Sequence, residues 1–278
     1  MRMKETEGSY ISRANIRRLP KPKFINWLVH EEDVTIEGAK VECYRIEGDI
    51  DEAQLDSWAL HVRRHYCRDD DLDAYTHYYE VPASDYLAQK IPDITQIMTG
   101  DFSEIIISDL LQFIEGYQVP RYKQYGREDK NSSGHGTDIL AYKIGNPEQP
   151  SPDDVLLAVE VKSRSGSAKV KDGIKEAASD SLKDRSRTAM TIAYFSERSL
   201  QGNDLVTASE LKRFLLASEH PYREEYSIGV TAGTDDISRA ISRSTAEDLG
   251  IVSGETVFIV HRKHMMDLIK RIYSRCRS

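Results

Sequence analysis

The sequence predicts an α/β protein: a mixed central sheet flanked by helices, preceded by an N-terminal α+β extension. Three observations carry this. Two strand-length apolar runs lie in mid-chain, joined by a short loop holding Pro147, Pro150 and Pro152. Helix-period segments lie on both sides of them. No apolar run approaches the ~20 residues that span a bilayer. The chain divides into residues 1–95, the extension and a candidate docking region for a partner, and residues 96–278, the principal domain.

The elements follow in order. The extension opens with a basic, Pro-punctuated stretch, Arg17 to Lys23. Alternation from Val41 to Ile46 predicts a strand. A helix follows from Asp51, with Leu55, Trp58, Ala59, Val62 and Tyr66 as its buried stripe. Arg68 to Asp73, RDDDLD, reads as a solvated loop, and Pro82 and Pro92 bracket a connecting region. A helix from Phe102 to about Gly116 opens the principal domain, stopped by the glycine. The two strands are Asp138 to Ile144 and Val155 to Arg164. Next come a polar helix over Val170 to Arg187 and a third strand, Thr191 to Phe195. Thr207 with Glu210 forms a capping box in front of Leu211, Phe214 and Leu215. A strand from Thr256 to His261 and a basic amphipathic helix from about His264 end the chain.

Composition bounds the function. With 39% apolar and 30% charged residues in 278, the chain is an ordinary soluble globule with room for a large core. Cys43, Cys67 and Cys276 are odd in number, widely spaced and not in metal-ligand spacing. They read as reduced thiols of a cytoplasmic protein without a zinc site. MRMKETEGSY lacks the apolar stretch of a signal peptide. A net charge of −8 argues against tight autonomous binding to a polyanion. A local basic groove or a basic partner would then be needed to hold such a ligand.

The chemistry centres on Asp138 and Glu160-Val161-Lys162. Glu-x-Lys also occurs at Glu128-Asp129-Lys130 and Glu210-Leu211-Lys212. The first is in a polar loop and the second is on a helix, where positions two apart point in different directions. Only Glu160-Val161-Lys162 ends an apolar strand, so Glu160 and Lys162 share one face and Val159 and Val161 the other. An antiparallel hairpin then sets Asp138 beside both. Two carboxylates and the Val161 main-chain carbonyl suit Mg²⁺, with Mn²⁺ as a substitute. Such an ion lowers the pKa of bound water and offsets phosphate charge. Lys162 would orient the water or stabilise that charge. The alternative is a structural ion pair, which gives no reason for the upstream Asp to be in register.

Further candidates surround this trio. Glu104, three residues after Asp101 at a predicted helix start, is either a capping group or a third carboxylate near the metal. His135, in Gly134-His135-Gly136-Thr137, is either a loop residue or one that acts on substrate. Arg121, Lys123, Arg127, Lys130 and Arg164 are candidate DNA contacts, with Lys169, Lys171 and Lys175 either continuing that basic bias or forming a solvated helix face.

Gly136-Thr-Asp138 followed by Leu156-Leu-Ala-Val-Glu160-Val-Lys162 resembles the PD-(D/E)xK nuclease superfamily, with Thr137 in place of the proline. More narrowly, the overall length, the extra N-terminal region, and the helix running into Ser181, Asp184 and Arg187 resemble the HamA family of the Hachiman antiphage defence system. That resemblance implies a restriction-endonuclease-like core and a metal-dependent DNase with Asp138, Glu160 and Lys162 in the catalytic positions. It also implies a partner, the superfamily-2 helicase HamB, that restrains the nuclease. A catalytically silent DNA-binding or scaffold subunit and a free-standing restriction-type endonuclease are the other readings. The intact trio argues against the first and the acidic charge against the second.

Overall fold

Six strands form one mixed sheet in the computed structural model, which describes residues 19–133, 136–166 and 169–277. In chain order they are β1 (Leu28–His30), β2 (Lys40–Ile46), β3 (Ile139–Lys143), β4 (Val155–Arg164), β5 (Arg223–Ala232) and β6 (Thr256–His261). Their order across the sheet is β1-β2-β6-β5-β4-β3. The two outer pairs, β1 with β2 and β3 with β4, are antiparallel, and the three inner pairings are parallel. The predicted mixed sheet between helices is therefore present. Residues of the N-terminal extension supply two of its strands.

Helices cover both faces. On one lie α1 (Glu52–Tyr66), α4 (Thr95–Phe113) and α10 (Met265–Arg275), packed with Leu157, Val159 and Val161 of β4 in one apolar cluster. The other carries α5 (Val170–Asp184), with the short α8 (Ile237–Ile241) and α9 (Ala246–Leu249), over Ile228, Val230, Val257 and Ile259. Beside it, α6 (Thr188–Gln201) and α7 (Leu205–Lys212) bury Ile192, Phe195 and Leu211 against Leu140, Tyr142 and Leu156. Two further helices, α2 (Asp69–Tyr79) and α3 (Ala83–Lys90), link α1 to α4.

Several predicted elements need correction. RDDDLD is not a solvated loop: Asp69, Asp70 and Asp71 form the first turn of α2, where carboxylates complement the positive end of the helix dipole. The Pro82–Pro92 connection contains α3. Thr191 to Phe195 is part of α6, not a strand. Thr207 and Glu210 lie inside α7, whose N-cap is Asp204, accepting from the Thr207 N–H. The helix predicted from Phe102 begins earlier, at Thr95, and the polar helix ends at Asp184 rather than Arg187. A strand absent from the prediction, β5, occupies the middle of the sheet. Among the described residues no helix is long and apolar enough to cross a membrane.

Candidate active site

The β3–β4 hairpin has the predicted register, with Ile139 opposite Val159 and Lys143 opposite Val155. Asp138 lies one residue before β3 and is drawn against β4 by a 2.8 Å hydrogen bond from the Val161 N–H to its Oδ2. The N–H and C=O of a strand residue point to the same side. The Val161 carbonyl is thereby turned toward the same edge, beyond the start of β3.

Alternation along β4 does the rest. Val159 and Val161 enter the core under α4. Glu160 and Lys162 project to the opposite face, toward α5, where Lys162 Nζ lies 2.9 Å from Glu160 Oε1 and 2.8 Å from Asp180 Oδ2. Glu104 comes from the first face, on α4. At the hairpin edge these meet in one cleft of about 440 Å³, lined by Asp101, Glu104, Gly136, Asp138, Glu160, Val161, Lys162, Arg164 and Glu176 among others.

The electrostatics follow from burial and neighbours. Burial would raise the Asp138 carboxyl, but the Lys123 ammonium at 2.6 Å and the Val161 N–H hold it below the ordinary carboxylate range. Glu160 goes the other way, pushed up to about 8 by burial and then by the Asp138 charge, against the pull of Lys162. For Lys162, burial favours the neutral amine, yet Asp180 and Glu160 outweigh it and keep it an ammonium above its usual range. Burial also raises Glu104 well above the ordinary range. Even so, both its oxygens accept hydrogen bonds, from Lys123 at 3.1 Å and Gln124 at 2.8 Å, an arrangement that suits the ionised form.

The donor set fits a small hard cation. It is all oxygen, as Mg²⁺ and Mn²⁺ prefer. A carboxyl raised by a neighbouring carboxylate is what a cation placed between them would relieve. The metal candidates Asp138, Glu160 and the Val161 carbonyl come together at this edge, and so do Lys162 and Glu104. Glu104 is not a helix cap, because α4 begins nine residues earlier, at Thr95. His135 lies outside the described residues.

The candidate DNA contacts are placed differently from expectation. Arg121 is buried, 2.9 Å from Asp109, and does not line the cleft. Lys123 is buried between Glu104 and Asp138. Arg127 makes a bidentate pair with Asp101, both contacts at 2.9 Å. These three cations are committed to internal carboxylates. Lys130 pairs with Asp93 on the surface, and Arg164 lines the cleft, paired with Glu176. The sequence reading missed Asp180 as the anchor of Lys162, although Glu176, Asp180 and Asp184 recur at helical spacing on one face of α5. It also missed Lys123 as a member of the centre. No periodicity marks Lys123, since it lies on the irregular segment between α4 and β3.

Comparison with known proteins bears on the whole arrangement. No curated protein matches the chain. The sequence model of the HamA family matches residues 22–276, from ahead of β1 to the end of α10 and through the β3–β4 hairpin at whose edge the carboxylates lie. The chain belongs to the HamA family, the antiphage-defence proteins of the Hachiman system.

Proposed function

We propose that the protein is a metal-dependent deoxyribonuclease of the PD-(D/E)xK type, the effector of a defence complex with a superfamily-2 helicase. The observation that carries this is the meeting of Asp138, Glu160 and the Lys162 ammonium at the hairpin edge, in an open cleft. Asp138, Glu160 and the Val161 carbonyl would hold Mg²⁺. The bound ion would lower the pKa of water and offset charge on the phosphate. Lys162 is anchored by Asp180 and Glu160 in its charged form. It therefore acts as a fixed positive charge and hydrogen-bond donor to the phosphate or the attacking water, and not as the base. Arg164, which lines the cleft and pairs with Glu176, would take a flanking phosphate by exchanging Glu176 for it.

The test is plasmid cleavage with Mg²⁺ or Mn²⁺. Asp138→Ala and Glu160→Ala should each abolish cleavage and weaken Mg²⁺ binding in a calorimetric titration while the fold persists. Cutting by either variant at the wild-type rate would remove this assignment. The helicase partnership, through the N-terminal region, is tested by co-expression with the neighbouring helicase and size-exclusion chromatography. Co-elution of the two supports it. Separate elution, with unregulated cleavage by this chain alone, favours a free-standing nuclease.

A further inference from the structure

Lys123 sits where a second metal ion would be expected in a carboxylate centre. Its ammonium contacts Asp138 Oδ1 at 2.6 Å and Glu104 Oε1 at 3.1 Å. These carboxylates come from different elements, α4 and the approach to β3. Among the described residues no other positively charged group pairs with both. The side chain is about 5% exposed, so the charge is not a surface lysine that drifted inward.

The segment that delivers it is held on every side. Arg121, two residues before, is pinned by Asp109 and by Gln112, and its carbonyl accepts from Arg68 at 3.2 Å. Tyr122 is buried, donates to Asp204 at 2.9 Å, and packs so closely on Gly202 that a Cβ there would lie 2.4 Å from its ring. On the other side, Gln124 donates to Glu104, the carboxylate that Lys123 also bridges. A rigid frame thus presents one ammonium to two carboxylates.

Two other clusters also take a cation from the chain itself, each on a single carboxylate. His61, His65 and Asp109 form a buried cluster of metal-ligating type, and Arg121 supplies its cation. Glu31, Cys43 and His261 form another, and there Arg45 lies 2.7 Å from Glu31. Charges are neutralised from within the chain.

We infer that Lys123 is a built-in cation that occupies the second position of the centre, bridging Glu104 and Asp138 and limiting it to a single divalent ion, held by Asp138 and Glu160. The inference rests on the metal-dependent reading above. Lys123 would be a positioning residue: it fixes the Asp138 carboxylate and excludes a neighbouring ion by charge repulsion, since like charges at such distances in a buried cleft are strongly unfavourable.

The experiment is a titration of the full chain with Mn²⁺, followed by electron paramagnetic resonance. The wild type should bind one Mn²⁺ per chain, with no exchange coupling. Lys123→Met keeps the length and removes the charge, and should admit a second Mn²⁺ and produce a coupled spectrum. Lys123→Arg should restore the single uncoupled ion. A coupled pair in the wild type overturns the inference, as does a single ion in a folded Lys123→Met protein. The wild-type count needs no variant, so the inference is exposed even if Lys123→Met fails to fold. Absence of any Mn²⁺ binding by the wild type would instead sink the metal-dependent reading itself.

Discussion

At Lys162, two carboxylates decide what one side chain can do. Asp180 at 2.8 Å and Glu160 at 2.9 Å hold it as an ammonium, which makes it a donor of charge and hydrogen bonds. Lys162→Ala should therefore cut the cleavage rate by ~10²–10³ while calorimetric Mg²⁺ affinity stays close to wild type. An equal loss of metal binding would count against that division of labour. His65 gives a second residue-level expectation. It is fully buried, and burial first, then the neighbouring His61 and Arg121, push its pKa well below the ordinary value. A lowered pKa means that the unfolded state takes the proton more readily as pH falls below ~6.5, so this group destabilises the fold on acidification. Urea midpoints should drop between pH 7.5 and 5.5, and His65→Gln should flatten that slope. At this scale the sequence was informative where strand alternation applied, because Glu160 and Lys162 had only one face to share. It was silent on burial. Arg121, Lys123 and Arg127 look like any run of surface cations, and only the tertiary fold turns them toward Asp109, Asp138 and Asp101.

Between elements, α5 and β4 meet as a ladder. Arg164, Lys162 and Glu160 alternate along one face of the strand, opposite Glu176, Asp180 and Asp184 on one face of the helix. The repeats match: two strand residues advance ~6.6 Å and four helical residues ~6.0 Å. Each rung can form without bending either element. Asp180→Asn should leave Lys162 with Glu160 as its one charged anchor and lower cleavage by roughly 10- to 100-fold, the usual cost of losing a group that orients a reactive side chain. Steady-state cleavage by a folded variant checks this, and an unchanged rate would make the middle rung dispensable. The ladder was half legible, since the period-four carboxylates are visible in the chain but their target is not. Of the elements that the reading missed, two show why. Thr191 to Phe195 is β-branched and aromatic, and five residues are too few to separate periods of 2 and 3.6; the helix buries Ile192, Phe195 and Ser199. β5 begins with exposed charges and contains Gly229, which weakens a strand pattern. A Cβ at that glycine would lie 3.2 Å from side-chain atoms of Ile107 on α4 and Val161 on β4, tighter than ordinary contact, so its absence lets the helix and the neighbouring strand pack close.

For the molecule as a whole, early and late elements of the described chain pack on each other. β2 runs parallel to β6 with Lys40 opposite Thr256 and Arg45 opposite His261, and α1 packs on α10. The mixed sheet between helices was readable from element order. Its strand order was not, because nothing local in β6 says that it pairs with both β2 and β5. Residues 96–278 alone would leave β6 as an edge and strip Trp58 and Val62 from the cluster that buries Ile269 and Tyr273 of α10. Losing several large buried side chains at once costs more than the ~5–15 kcal/mol that holds a typical domain together. The fragment should therefore aggregate or remain unfolded by circular dichroism, and a soluble, cooperatively melting fragment would contradict this. The position of β6 also has a consequence for synthesis. The ribosome releases Asp138, Glu160 and Lys162 more than ninety residues before Thr256, yet the sheet that seats them is completed only when that late strand slides between two earlier ones. Under the nuclease reading proposed above, the centre would stay unsupported until β6 has left the ribosome, so cleavage could not begin on the nascent chain before that strand is in place.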